Sequence, residues 1–381
     1  MDFSFTEEQG LLRDSLARFL ADHYSLDERR KAIVSQAGWR PQIWRAFAED
    51  LGILGAPFPE ELGGLGGGPI ETMVVMEEFG KALVVEPFLS TVVIAGGVLS
   101  REGGERAAGE IAEIIAGKTR WAFAWAERQG RYAVNDIAVS AKRQGSGWTL
   151  SGAKAAVRAA SFADKLLVTV RTGGDRRETA GVSLFAVPKA AKGVSVRDYP
   201  TVDGSRASEI AFEDASLPAE ALIGEEGKAL AVIEAVVEEA ICALCAEGVG
   251  VLRKLHEGTL AYTKERRQFG APIASFQALQ HRMVDMFIQL EQAVSMTYMA
   301  HIRLAEPPAE RAKAVSAAKV QMARACRFVG QNAIQLHGGM GMTDEMAIGH
   351  YFKRATMIES EFGGLDHHLA RYEALSFDKA A

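Results

Sequence analysis

Cysteine is scarce: three residues in 381, at Cys242, Cys245 and Cys326. That excludes a disulfide framework and suits a reducing cytoplasm. A basic excess is also missing. Forty-three Lys and Arg stand against 49 Asp and Glu, a formal charge of −6, so nothing marks a nucleic-acid partner. No uncharged apolar run approaches the ~18 residues of a membrane span. The softest stretch, from Ala240 to Leu252, is short and contains Glu247. The opening Met1-Asp2-Phe3-Ser4-Phe5, followed by Glu7 and Glu8, is acidic where a targeting leader would be basic. Phosphate-loop, dinucleotide-fold, zincin and nucleophile-elbow signatures are absent.

What is present changes character along the chain. Residues 1–117 read as helical. Thr6 and Gln9 have capping-box spacing, with Leu12, Leu16, Phe19 and Leu20 behind them at helical period. Pro41 suits a first helical turn, and Ile70 to Lys81 returns to the same period after a glycine-rich loop at 57–68. Residues 118–222 read as β-rich. The alternation of Ile137, Val139 and Ala141 predicts a strand, as do Leu166 to Val170, Val182 to Val187 and Ile210 to Phe212. Turns separate these runs and no long helix intervenes. An antiparallel sandwich or barrel is therefore expected. Residues 223–381 read as long helices: Lys228 to Lys264, Gln277 to Leu304 and Ala309 to Leu336. The expected architecture is α+β and multidomain: an N-terminal helical domain, a middle β domain and a C-terminal four-helix bundle.

Few residues carry obvious chemistry. Cys242 and Cys245 match C-x-x-C, but inside an apolar helix, where packing is the expected role. Adjacent His367 and His368 point about 100° apart on a helix and make poor metal partners; a surface or interface role is expected, and no metal site. Tyr262 to Gly270 places Arg266 and Arg267 at a helix end before Gln268-Phe269-Gly270. Such cations cap a helix or clamp a pyrophosphate. Gln335-Leu336-His337-Gly338-Gly339 ends the next long pattern, where glycines cap a helix or admit a ligand closely.

The order of these pieces resembles the acyl-CoA dehydrogenase family over essentially the whole chain. The residues that carry the resemblance are Phe5 to Gln9, Pro59 to Gly64, Trp148 to Lys154, Arg266 to Gly270 and Gln335 to Gly339. The resemblance implies a flavin enzyme that desaturates an acyl-CoA thioester at its α and β carbons. A carboxylate removes the α proton and the β hydrogen leaves as hydride to flavin N5. It further implies FAD, an acyl-CoA substrate, an electron-transferring flavoprotein as acceptor, and a dimer of dimers. Arg266, Gln268 and Phe269 would hold the pyrophosphate and adenine side of FAD, and Gln335, Gly338 and Gly339 would meet the FAD of a partner chain.

The departures from the pattern are as informative. The family's usual base position corresponds to Phe362, and the position used by a second branch corresponds to Ala240. Glu361, one residue early, is the candidate catalytic base, with Glu239, Glu247 and Asp366 as further candidates. The flavin-cradling loop corresponds to Ala126 to Tyr132, and the Trp and Thr that face the flavin ring correspond to Ala156 and Arg158. These changes are similar to the small subunit of bacterial two-subunit enzymes such as pimeloyl-CoA dehydrogenase. The alternative expectation is therefore a heterotetramer whose partner chain supplies the carboxylate.

Overall fold

The computed structural model describes residues 5–377. Helices come first: α1 (Glu7–His23), α2 (Leu26–Val34), α3 (Pro41–Glu49) and α4 (Pro69–Ala82). A π-helical turn, Leu89–Ala95, runs into α5 (Gly96–Glu102), and α6 (Ala107–Ile115) follows. The expected starts hold. Thr6 and Gln9 form a reciprocal capping box on α1, and Pro41 occupies the first turn of α3.

Eight strands come next: β1 (Trp121–Ala124), β2 (Ser140–Gln144), β3 (Gly147–Arg158), β4 (Lys165–Arg171), β5 (Val182–Pro188), β6 (Val194–Pro200), β7 (Arg206–Leu217) and β8 (Leu222–Ile223). They form one sheet in the order β6-β7-β3-β2-β4-β5-β8, with β1 beside β4. Most pairings are antiparallel as expected, but β1 and β2 both pair with β4 in parallel. The sheet is therefore mixed. β4 is buried along almost its whole length, which explains its unbroken Leu-Leu-Val-Thr-Val run. Trp148, Leu150, Val168, Phe185, Val187 and Ile210 fill the core beneath it. β6 was not evident in the sequence. It lies at the sheet edge, half-exposed, and its Arg197 and Asp198 fit an edge protected by charge.

The chain closes with α7 (Leu230–Glu265), the short hairpin β9 (Arg267–Gln268) and β10 (Ala271–Pro272), then α8 (Gln277–Ile302), α9 (Pro308–His337), α10 (Ala347–Ser360) and α11 (Leu365–Phe377). α8, α10 and α11 all pack on α9. None of the described helices is long and apolar enough to cross a membrane.

These elements group into two compact units. One takes the chain up to Arg30, Pro69–Val84 and everything from Ile241 onward; the other takes Lys31–Gly68 and Val85–Ala240. In the first unit α4 and α7 cross almost backbone to backbone. A Cβ on Gly80 would sit 2.0 Å from the Glu247 carbonyl oxygen, and one on Gly250 would sit 2.1 Å from that of Glu77. Only glycine allows this approach, and it fixes the height of Glu247 on the bundle.

Gly250→Ala should therefore lower stability by about 1–3 kcal/mol through overpacking. Gly109→Ala, in open space on α6, should raise it by about 0.5–1 kcal/mol. Denaturation midpoints of the two variants check both signs; equal midpoints would refute the close crossing.

Candidate functional site

Two of the expected motifs meet at one end of the helical unit. α7 ends at Glu265 and the β9–β10 hairpin turns through Phe269 and Gly270, at φ +52° and +79°. Positive φ at both central residues is what a type I′ hairpin turn requires. Phe269 is 94% exposed, and Arg266, Gln268 and Gly270 are exposed with it. At the end of α9, Gln335, Gly338 and Gly339 are also exposed, and nothing lies within 4 Å of a Cβ built on either glycine. Tyr262, one turn before Arg266, ties the two motifs together. Its ring stacks on His337 at 4.3 Å, and its hydroxyl donates to the His337 carbonyl at 3.3 Å. Burial holds His337 below the usual imidazole range. Arg266, the Gln268 amide and the Phe269 ring have the chemistry to hold a pyrophosphate and an adenine, and the Gln335 amide with open glycine backbone has the chemistry to admit a second such group closely.

In the other unit, which holds the sheet, a buried pin sits beside the loop that follows β1. Lys154 on β3 is fully buried; its amine donates to Glu127 Oε1 at 2.8 Å, Thr169 Oγ1 at 2.9 Å and the Trp125 carbonyl at 3.1 Å. Burial pulls Lys154 down to about 8, against the opposing Glu127 charge. Burial alone would raise Glu127, but Lys154 and the hydrogen bonds outweigh it and hold that carboxyl low. Glu127 also accepts from the Ala138 and Val139 amides at 2.8 and 3.2 Å. Those amides are thereby taken from the sheet, and β2 begins only at Ser140. The strand expected from Ile137 is shortened for this reason. Beyond the pin, Ala156 sits at φ +52° where the β3–β7 register shifts. Arg158 Nη1 lies 3.8 Å from the buried Asp203 carboxylate.

Glu361 follows α10 and lies in a turn with Phe362 at φ +56° and Gly363 at φ +117°. A bulky residue at positive φ persists where its surroundings enforce it, and here several helices do so. From α9, the fully buried Lys319 donates to the Ile358 and Glu359 carbonyls at 2.5 and 3.2 Å. From α11, His368 hydrogen-bonds the Phe362 carbonyl through Nε2 at 3.1 Å. From α10, Arg354 approaches Glu361 Oε2 at 3.5 Å through Nη1. The same guanidinium donates to Glu247 on α7 through Nε at 2.5 Å and Nη2 at 2.7 Å. The Arg354 and Glu247 side chains are each 7% exposed, and that of Glu361 is 12% exposed.

The other carboxylates considered as bases are placed differently. Glu239 is ion-paired with Arg101, Asp366 is exposed in the first turn of α11, and Ala240 is fully buried. His368, for which a surface or interface role is expected, is buried within the chain instead. The buried thiols of Cys245 and Cys326 are pushed up to about 12 by desolvation, as packing residues should be. Among the described residues no cluster of His, Cys, Asp and Glu could hold a metal. The sequence reading did not foresee Arg354, Lys319 or His368. One signal was available: Lys319 falls on the apolar stripe of Val315, Met322 and Cys326, and a charge there needs partners.

Comparison with known proteins identifies the family. Models of the acyl-CoA dehydrogenase N-terminal, middle and C-terminal domains match residues 6–109, 122–215 and 230–370. This chain belongs to the acyl-CoA dehydrogenase family, the FAD-dependent oxidoreductases that act on the CH–CH bond of acyl-CoA. Acyl-CoA dehydrogenase IpdE2 of Mycolicibacterium smegmatis is 29% identical over 372 residues, 98% of this chain and 100% of that protein. Among solved structures, the ChsE4–ChsE5 complex from Mycobacterium tuberculosis matches with TM-score 0.89 at 26% identity, over 100% of both chains. The FAD complex of PigA matches at 0.90 and 26%, also over 100% of both chains.

The buried imidazole sets a pH dependence. Burial, with Lys319 and His367 nearby, lowers His368 to about 3, below the ordinary imidazole value. As pH falls below about 6.5 the unfolded chain binds a proton that the folded chain refuses. Stability therefore falls on acidification, by up to about 1.4 kcal/mol per pH unit from this group. His368→Gln should flatten the decline between about pH 6.5 and pH 4.5, read from denaturant midpoints. Parallel curves for the two proteins would contradict it.

Proposed function

We propose that this chain desaturates an acyl-CoA thioester at its α and β carbons, with Glu361 as the base. The observation that carries this reading is the placement of Glu361: a nearly buried carboxylate, in an enforced turn, one residue before the position of the family's base. A Glu361 oxygen accepts the α proton while the β hydrogen leaves with its electron pair, and a carbon–carbon double bond forms between them. FAD, when bound, supplies the hydride acceptor at N5 and passes the electrons to an electron-transferring flavoprotein. Arg266, Gln268 and Phe269 hold its pyrophosphate and adenine side. Gln335, Gly338 and Gly339 reach the cofactor of a second chain, within a dimer of dimers.

Glu361→Gln should reduce turnover at least about a hundredfold with FAD still bound; retained turnover would exclude Glu361. Arg266→Ala should lower the flavin-to-protein absorbance ratio of the purified protein, and an unchanged ratio would remove Arg266 from the clamp.

A second reading rests on Phe362 and Ala240, the two positions that lack a carboxylate. In it this chain is one half of a heterotetramer, and a partner of the same fold supplies the base. The likeness to the ChsE4–ChsE5 complex supports it. The test is co-expression with a neighbouring gene for a similar chain that keeps the glutamate. Activity that arises only from the pair, and survives Glu361→Gln, would favour this second reading.

A further inference from the structure

We propose that Tyr262 is a positioning residue for FAD: with His337 it forms a strut that sets Arg266, Gln268 and Phe269 at a fixed separation from Gln335, Gly338 and Gly339 before the cofactor binds. The inference rests on the reading that these two sets of residues hold FAD. On that reading the sets serve the cofactors of neighbouring chains, so each FAD meets both sets in the oligomer.

Both sets sit on elements that need support from behind. A two-stranded hairpin alone is marginal in water, and a pair of glycines is conformationally permissive. Arg266, Gln268, Phe269, Gln335, Gly338 and Gly339 are all exposed. Their positions are set by the helix ends that carry them, α7 for the first set and α9 for the second.

Tyr262 takes part in both helix ends. Its carbonyl accepts from the Arg266 amide at 2.8 Å in the last turn of α7. The Arg266 carbonyl accepts in turn from the Ile273 amide at 2.8 Å, which closes the hairpin. The Tyr262 ring lies almost parallel to the His337 imidazole, with 4.3 Å between centroids and 23° between planes. His337 is buried, and its Nδ1 is hydrogen-bonded to the Ala333 carbonyl at 2.8 Å, so the imidazole is fixed to α9. The peptide from His337 into Gly338 is held at both polar atoms. Its carbonyl accepts from the Tyr262 hydroxyl at 3.3 Å, and its amide donates to the Gln335 carbonyl. The next residue, Thr263, reaches the Met283 sulfur on α8 at 3.3 Å through its hydroxyl. Tyr262 and Thr263 thus fix the end of α7 against two different helices.

Of the two links to His337 the ring contact is the stronger. A hydroxyl-to-carbonyl distance of 3.3 Å is longer than the usual range of about 2.5–3.0 Å. A site held ready does not have to order its parts as the ligand arrives, and this shows as affinity. Without the strut, Arg266 and Gln335 remain present but at a variable separation, and the cofactor has to order them as it binds.

The test is the Kd for FAD of the oligomer stripped of its flavin, with a partner chain if assembly requires one, read from flavin fluorescence. Tyr262→Leu should raise Kd about tenfold. Tyr262→Phe keeps the ring and should stay within about threefold of wild type. In a chain that already carries Arg266→Ala and Gln335→Ala, Tyr262→Leu should have an effect of at most about threefold, because the groups it positions are gone. A general loss of structure would weaken FAD binding equally in both backgrounds. An unchanged Kd in Tyr262→Leu, or the same tenfold effect in both backgrounds, would overturn the inference. If Tyr262→Leu does not fold, His337→Leu removes the other ring at similar volume and takes its place with the same expectations. Arg266→Ala and Gln335→Ala separate the two layers. If they raise Kd while Tyr262→Leu does not, the strut alone is refuted. If neither raises Kd, the assignment of FAD to these sets fails, and the strut with it.

Discussion

A guanidinium with 7% of its side chain exposed is stable only beside an anion, and Arg354 has its anion in Glu247. Much of the helical unit can be read from that requirement. Glu247 must reach the α10 side of α7, so α7 must sit at one height. Gly80 and Gly250 set that height by letting α4 touch its backbone. α10 must then present Arg354 inward and end where Lys319 can donate to its last carbonyls. The turn that follows holds Glu361 and Phe362, and His368 closes it from α11. Arg354, Glu247, Lys319 and His368 are buried polar side chains, and each has a hydrogen-bond partner within the unit. The arrangement is specific because its partial forms are costly.

The β unit solves a similar problem with the opposite sign at its centre. There a buried carboxylate, Glu127, gathers Lys154, two backbone amides and the Gln129 side chain. It bends the chain from Ala126 onward into a loop in place of a longer strand. In both units a buried charge enclosed by hydrogen bonds shapes the segment beside it.

Much of this was legible in the sequence. The long helices of the C-terminal third follow from unbroken helical periods, and α7, α8 and α9 begin and end within a few residues of the pattern. The capping box at Thr6 and the proline start at Pro41 are local signals with local causes. The hairpin at Phe269 and Gly270 falls at the expected helix end. The misses share a physical origin. Ile137 to Val139 alternates like a strand, yet Glu127, eleven residues from Ala138, takes its amides. β6 lacks an apolar signal because it lies at an edge. Arg354, Lys319 and His368 act through contacts made across the bundle, and no local period records such partners. The sequence could flag Glu361 as a displaced carboxylate, but not the cation it shares with Glu247.

The account centres on acyl-CoA oxidation at FAD. Its most direct test is the visible spectrum of the purified protein under anaerobic conditions, followed as saturated acyl-CoA thioesters of increasing chain length are added. The account predicts a bound flavin whose visible band bleaches with at least one of them. A bound flavin that stays oxidised with every thioester, both alone and after co-purification with a partner chain, would contradict it.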